Sequence, residues 1–217
     1  KRYEFPVLRG TENEIAIDLK TLRSVTNGII TLDPGYKNTG ACKSAITFLD
    51  GEKGILRYRG YSIESLAEKS NFLEVAYLVI FGELPTAAQF KKFDDDIKAH
   101  SLLNEEMKNI INGFPKVAHP MGMLSSLTSA LTAFNPITVN VHSEKDLYNA
   151  IVKLLAKFPV LAAWAHSVNQ GTPLNYADNS LDYVSNIMQM MFEIPTTKYV
   201  INPIAVKALD QLLILHE

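Results

Sequence analysis

Val160-Leu161-Ala162-Ala163-Trp164-Ala165-His166 is apolar at every position but the last. A helix that is apolar nearly all round has no face for water, so it must lie buried among other helices. This stretch opens Val160–Asn169, a hydrophobic helix that Gly171 ends. Its neighbours must therefore supply a layered α-domain around it.

Working outward, the chain meets that demand. Ser143 opens a helix whose last turn carries Lys153 and Lys157, and Pro159 separates it from Val160–Asn169. Pro120 sits at a first helical position and starts a helix to Phe134, with His119 at its entrance. Asn104 caps another, with Glu105 and Glu106 near its positive end and Gly113 closing it. Thr86 and Gln89 form a capping box for a helix to about His100. Asn71 opens a helix through Phe81, closed by Gly82, and Ser62 caps Ile63–Lys69. Downstream, Ser180 starts a helix through Phe192, and Asn202-Pro203 starts the last one. That makes about nine helices with short connections.

The first sixty residues read differently. Tyr3–Leu8 and Glu14–Leu19 alternate around the turn Arg9–Asn13, and Asn27–Leu32 is a further apolar run. Ser44–Leu49 and Ile55–Tyr58 flank Asp50-Gly51-Glu52-Lys53-Gly54 as a hairpin. The expected fold class is mainly α: a β-containing N-terminal arm over 1–60 and a large helical domain over 61–217.

Composition excludes several functions. Net charge is −2, without the basic surplus of a nucleic-acid binder. The single cysteine, Cys42, cannot build a disulfide framework or a thiolate metal site. Among five histidines none forms an i, i+4 pair, so no metal site is expected. No apolar run reaches the ~18 residues of a membrane span, and Lys1-Arg2-Tyr3 leads no signal-peptide core. A cytoplasmic location is expected, with no membrane and no nucleic acid as partners. The apolar helical pattern of Leu212–Leu215 meets no breaker before Glu217, which reads as the front of a longer protein.

Catalytic motifs are scarce. No G-x-S-x-G elbow and no phosphate-binding G-x-x-x-x-G-K loop occur. Asp94-Asp95-Asp96 point in different directions on a helix and read as a solvated face. Met188, Met190 and Met191 read as core filling, and His166 as a core histidine. From the residues alone the chain is a helical domain. A non-catalytic helical interaction module therefore stays open beside an enzyme.

An ordered series of segments resembles citrate synthase. It runs through Leu32-Asp33-Pro34-Gly35-Tyr36, Ser44–Gly51, and Gly54-Ile55-Leu56-Arg57-Tyr58-Arg59-Gly60. It continues through Asn71–Leu78, Gly82–Thr86, His119-Pro120-Met121, Asn202-Pro203 and Leu213-Ile214-Leu215-His216. The Asp33-Pro34-Gly35 arm is similar to that of the allosteric form of Gram-negative bacteria. The resemblance implies an acyltransferase that condenses acetyl-CoA, a substrate, with oxaloacetate and water to citrate and CoA. It implies a homodimer, or a hexamer of dimers, and no cofactor or metal. 2-Methylcitrate synthase, using propionyl-CoA, shares the motif set and remains the alternative.

In the family an aspartate takes a methyl proton, one histidine stabilises the enol, another polarises the oxaloacetate carbonyl, and arginines hold its carboxylates. The resemblance places these groups downstream of Glu217, so no catalytic residue is expected here and these residues alone are expected to be inactive. His216 matches the first histidine of the family's H-x-D-H-E stretch, as a substrate-binding residue or as a structural wall of the oxaloacetate pocket. The allosteric form's NADH site falls on His100, Ser101, Lys153 and Lys157. The lysines are suited to nucleotide phosphates, or to complementing a helix C-terminus. Ala99 stands where that site has arginine, Asn135 where it has tyrosine, and Thr197 aligns with a reactive cysteine. The missing arginine removes a bidentate phosphate contact, which counts against NADH as an allosteric inhibitor.

Overall fold

The computed structural model describes residues 1–134, 140 and 142–217; Asn135, named above where the site has tyrosine, lies outside them. The chain divides into two compact units, Lys1–Ala45 and Ile46–Glu217.

In the first unit, β1 (Val7–Arg9) pairs antiparallel with β2 (Ile15–Ile17), Val7 opposite Ile17. The strands are shorter than the alternating pattern implied. Pro6 has no N–H to extend the ladder, and its carbonyl instead accepts from Asp18 N–H at 2.8 Å. A short helix α1 (Leu22–Val25) follows, then a single 3-10 turn at Pro34–Tyr36. Asn27–Leu32 forms no strand. Asp33 holds the following loop by accepting from Asn38 N–H at 2.8 Å and from the Thr39 hydroxyl at 2.6 Å.

The second unit begins with β3 (Thr47–Asp50), β4 (Ile55–Tyr58) and β5 (Tyr61–Ser62), an antiparallel sheet in the order β3-β4-β5. The hairpin pairs Thr47 with Tyr58 and Asp50 with Ile55. Arg59 and Gly60 make the next two-residue turn, at φ 48° and 89°. Positive φ at both positions matches the twist of a tight hairpin. Arg59 accepts that strain with its guanidinium tied down: Nε and Nη2 both donate to Val79 O, at 3.2 and 2.7 Å. Leu56 and Tyr58 pack with Ile63, Leu66, Val75 and Leu78, so this sheet, which the sequence groups with the arm up to residue 60, joins the helices.

The helices are α2 (Ile63–Lys69), α3 (Phe72–Phe81), α4 (Ala87–Ala99), α5 (Met107–Ile111), α6 (Pro120–Phe134), α7 (Glu144–Gln170), α8 (Tyr183–Phe192) and α9 (Pro203–Leu215). With α1 that makes nine among the described residues, but not the nine expected. Their starts follow the sequence closely where a capping side chain is present. Asn71 and Glu74 form one capping box and Thr86 with Gln89 another. Asn202 accepts from Ile204 N–H at 2.9 Å. His119 Nδ1 accepts from Met121 N–H at 3.2 Å at the head of α6.

Three expectations are corrected. Asn104 makes a local turn, its side chain accepting from Glu106 N–H at 2.9 Å, and α5 begins only at Met107. The cap of α8 is Asp182, which accepts from Ser185 N–H at 2.8 Å, while Ser180 bonds back to Asp178. Lastly, α7 is one 27-residue helix that runs through Pro159. Proline removes one helical N–H, and the carbonyl four residues back, Leu155 O, accepts from the Tyr183 hydroxyl at 2.9 Å instead.

Helix α7 is the centre of the second unit. Trp164, Leu161 and Ala163 have no exposed surface, and they pack with Met107 and Ile111 of α5 and with Met123 and Leu127 of α6. The Trp164 indole N–H donates to Asn175 O at 2.7 Å. By length and composition α7 reaches what a bilayer span needs, against the expectation of no such stretch. Its most apolar window is 56% buried against its neighbours, as in a core helix. Met190 of α8 joins the same core at 2% exposure. The Asp94–Asp96 run on α4 is bridged at helical spacing: Lys98–Asp94 at 2.8 Å, Lys91–Asp95 at 2.6 Å and Lys92–Asp96 at 2.5 Å.

Candidate functional site

His216 stands just past the last turn of α9. Its backbone N–H donates to Leu213 O at 3.1 Å and its ring is exposed. Nδ1 lies 2.7 Å from Leu212 O. A carbonyl only accepts, so Nδ1 carries a proton, and Nε2 is the ring nitrogen that the helix leaves unengaged. The helix thereby fixes both the tautomer and the direction of the one nitrogen left for a ligand.

What fixes α9 is a set of polar ties around an apolar anchor. Ile214 is fully buried beside Tyr58, Leu66 and Leu78. The Tyr58 hydroxyl donates to Leu215 O at 3.4 Å. Lys207 Nζ and Gln211 Nε2 both donate to Ala67 O in the last turn of α2, at 3.0 and 3.2 Å. Asp210, 6% exposed, accepts from Phe72 N–H at 2.8 Å. Sequence reasoning missed Asp210, because a lone aspartate in an apolar helix carries no signal of the amide it meets in the fold.

Beside these ties the first turns of α3, α8 and α9 border a groove of about 600 Å³, with α4 along one side. Phe72, Tyr183, Lys98 and Lys207 line it, together with Asp94 and Asp210. Glu217 follows His216 and turns inward. Its Oε2 is buried without a hydrogen-bond partner among the described residues. Burial, and then the nearby charge of Asp210, push its carboxyl up to about 8. Burial and then Glu217 raise the Tyr58 phenol above its ordinary value, and the Tyr183 phenol likewise.

Of the second predicted group, the structure places His100, Ser101 and Lys157 at the end of α4. His100 caps that helix, with Nδ1 2.8 Å from Asp96 O. The Ser101 hydroxyl donates to Lys98 O at 2.9 Å and faces Asn179 Oδ1 at 3.2 Å. Lys157, 8% exposed, sends its ammonium to His100 O at 3.1 Å and Leu102 O at 2.6 Å. It thus neutralises the C-terminus of α4 rather than of its own helix. Burial, then the charge of Lys153, lowers the Lys157 ammonium below the usual lysine range. Lys153 lies one turn earlier on α7 and is half-buried.

Among the described residues no three His, Cys, Asp or Glu side chains group closely enough to hold a metal ion. His166 is half-buried, its ring edge-on to Phe192 at 5.7 Å.

A family profile described as "Citrate synthase, C-terminal domain" matches residues 35–217. The citrate synthase of Corynebacterium glutamicum is 48% identical over 214 residues, covering 99% of this chain and 49% of that protein. The crystal structure of citrate synthase from Pyrobaculum aerophilum superposes with a TM-score of 0.74 at 26% identity, over 99% of this chain and 50% of that one. That from Thermotoga maritima gives 0.69 at 28% identity, over 85% and 46%. A citrate synthase from Thermoplasma acidophilum, in ternary complex with carboxymethyl coenzyme A and oxaloacetate, gives 0.76 at 21% identity over 86% and 47%, a likeness of fold. The chain spans about half the length of these relatives. A continuous match over residues 35–217, on a helical fold shared with these structures, assigns the chain to the citrate synthase family.

Proposed function

We propose that this chain is the N-terminal portion of a citrate synthase similar to the allosteric Gram-negative form, an acyltransferase condensing acetyl-CoA with oxaloacetate and water to citrate and CoA. The observation that carries the reading is the 48% identity to a citrate synthase along 99% of the chain. In that reaction the methyl group of the thioester loses a proton, its carbon attacks the keto carbon of oxaloacetate, and water releases CoA from the citryl thioester. His216 contributes at the oxaloacetate pocket. Its Nε2 accepts a hydrogen bond when the ring is neutral and donates to a substrate carboxylate when it is protonated. The remaining residues act as scaffold, and by themselves they are inactive.

We read His100, Ser101, Lys153 and Lys157 as a packed helix end rather than an NADH subsite. Lys157 donates to the carbonyls of His100 and Leu102, and His100 Nδ1 faces Asp96 O. Homo-oligomerisation, as a dimer or a hexamer of dimers, is part of the same proposal. The small residues Gly122, Ser125, Ser126 and Ser129 lie exposed along α6, where close helix approach is sterically free. A cytoplasmic location completes it.

The test is thiol release from acetyl-CoA with oxaloacetate, by this chain and by an extended form running the full length of its relatives. The extended form turns over and the 217-residue chain does not. An inert extended form overturns the proposed activity, and turnover by the short chain overturns the scaffold role. Preference for propionyl-CoA assigns 2-methylcitrate synthesis instead.

A further inference from the structure

We infer that Asp210 is a positioning residue for His216, holding α9 in register on the first turn of α3. The functional end of this inference rests on His216 lying at the oxaloacetate pocket.

The reasoning starts at α3. A helix start leaves four N–H groups without helical partners. The α3 capping box uses two donors reciprocally: Glu74 N–H reaches Asn71 Oδ1, and Asn71 N–H reaches Glu74 Oε2, both at 3.1 Å. Phe72 N–H lies between them and is not part of the box. Asp210 Oδ1 takes it at 2.8 Å, from a helix far along the chain. The contact therefore fixes one helix against another, not one helix within itself.

A carboxylate at 6% exposure is costly unless it is well paired. Leucine would fill such a site without that cost. What the carboxylate adds is direction: one oxygen on a helix N-terminus, where negative charge is favoured, and the other 3.7 Å from Lys207 Nζ. Lys207 also reaches Ala67 O, so α2, α3 and α9 meet through one short chain of polar contacts. These contacts act across the middle of α9, and His216 caps its end. A rigid helix passes on any change of tilt at residue 210 as a displacement of the imidazole. A loss of about 1 Å in placement matters for a group that must meet a substrate.

Hydrogen exchange on the 217-residue chain tests the anchor without any assay of activity. Asp210→Ala exchanges Phe72 N–H and the amides of Leu213 and Ile214 about tenfold faster or more, the equivalent of one lost hydrogen bond of about 1.4 kcal/mol. Asp210→Asn keeps an acceptor oxygen and stays near the wild-type rates. Asp210→Leu keeps the burial and exchanges as Asp210→Ala does. In the extended form, Asp210→Ala and Asp210→Leu raise KM for oxaloacetate about tenfold with KM for acetyl-CoA unchanged, and Asp210→Asn rescues it. Unchanged exchange at Leu213 and Ile214 in Asp210→Ala overturns the anchor. Faster exchange with an unaltered KM for oxaloacetate overturns the link to His216. An extended wild type without turnover counts against the proposed activity and leaves the exchange result to decide the anchor.

Discussion

The hydroxyl of Tyr183 donates to the carbonyl of Leu155 at 2.9 Å, in place of the N–H that Pro159 lacks. Helix α8 thus mends a break in α7, and both helices belong to the walls of the main core.

Tyr183→Phe leaves a buried acceptor and costs about 1–3 kcal/mol. In a Pro159→Ala background the alanine N–H meets Leu155 O, so the same tyrosine substitution costs less. Urea melts of the four proteins form a double-mutant cycle. Strictly additive costs would show that the hydroxyl does not replace the proline's missing donor.

Lys157→Met keeps the apolar stem and strands the carbonyls of His100 and Leu102. The expected loss is about 1–3 kcal/mol, against about 0.5 kcal/mol or less for Lys153→Met at its half-buried position. Fluorescence titration with NADH shows no saturable binding to the wild type or to either variant. Saturable binding abolished by both substitutions would reinstate the phosphate role.

Glu217 predicts a pH dependence. Its folded value of about 8 lies above the ordinary 4.5, so the folded chain retains a proton that the unfolded chain releases. The contribution of this group is fully present below pH 4.5 and is lost as pH rises through 8. Thermal melts across this window show a falling Tm for the wild type. Glu217→Gln removes that component of the slope. A slope identical in both proteins assigns the dependence to other groups.

Arg59→Gly sets two effects against each other. Glycine relieves a left-handed φ, worth about 1–2 kcal/mol. Hydrogen bonds from a charged donor contribute about 1.5–3 kcal/mol each, and Val79 O accepts two from this guanidinium. The substitution is therefore net destabilising. An increase in the urea midpoint would mean that strain outweighs the clamp.

Much of the helical frame was legible because helix starts are local. Asn71, Thr86 and Asn202 announce themselves through side chains that bond within three residues. Gly82 ends α3 in the left-handed region, at φ 96°. At Asn104 and Ser180 a neighbour two residues away took the capping side chain; at Pro159 and Lys157 the deciding partner was distant. Pro159 reads as a stop until Tyr183 supplies a donor from the next helix. Lys157 reads as serving its own helix end until α4 brings two carbonyls to its ammonium. For the site, His216 was visible as part of a motif, whereas Asp210 was not visible at all.

The amino-acid sequence by itself determined the helical class, most helix starts, the hairpin of β3 and β4, and the family resemblance. The class, the helix starts and the hairpin follow from side-chain type at short spacing, where the chain's own geometry sets the partner; the resemblance rests on an ordered series of segments along the chain. Only the tertiary structure decided that α7 is continuous, that Lys157 closes α4, and that Asp210 ties α9 to α3. Those contacts join residues 28, 57 and 138 positions apart. Whether a buried donor and acceptor meet at such separations depends on how whole helices pack, and spacing along the chain carries no record of it.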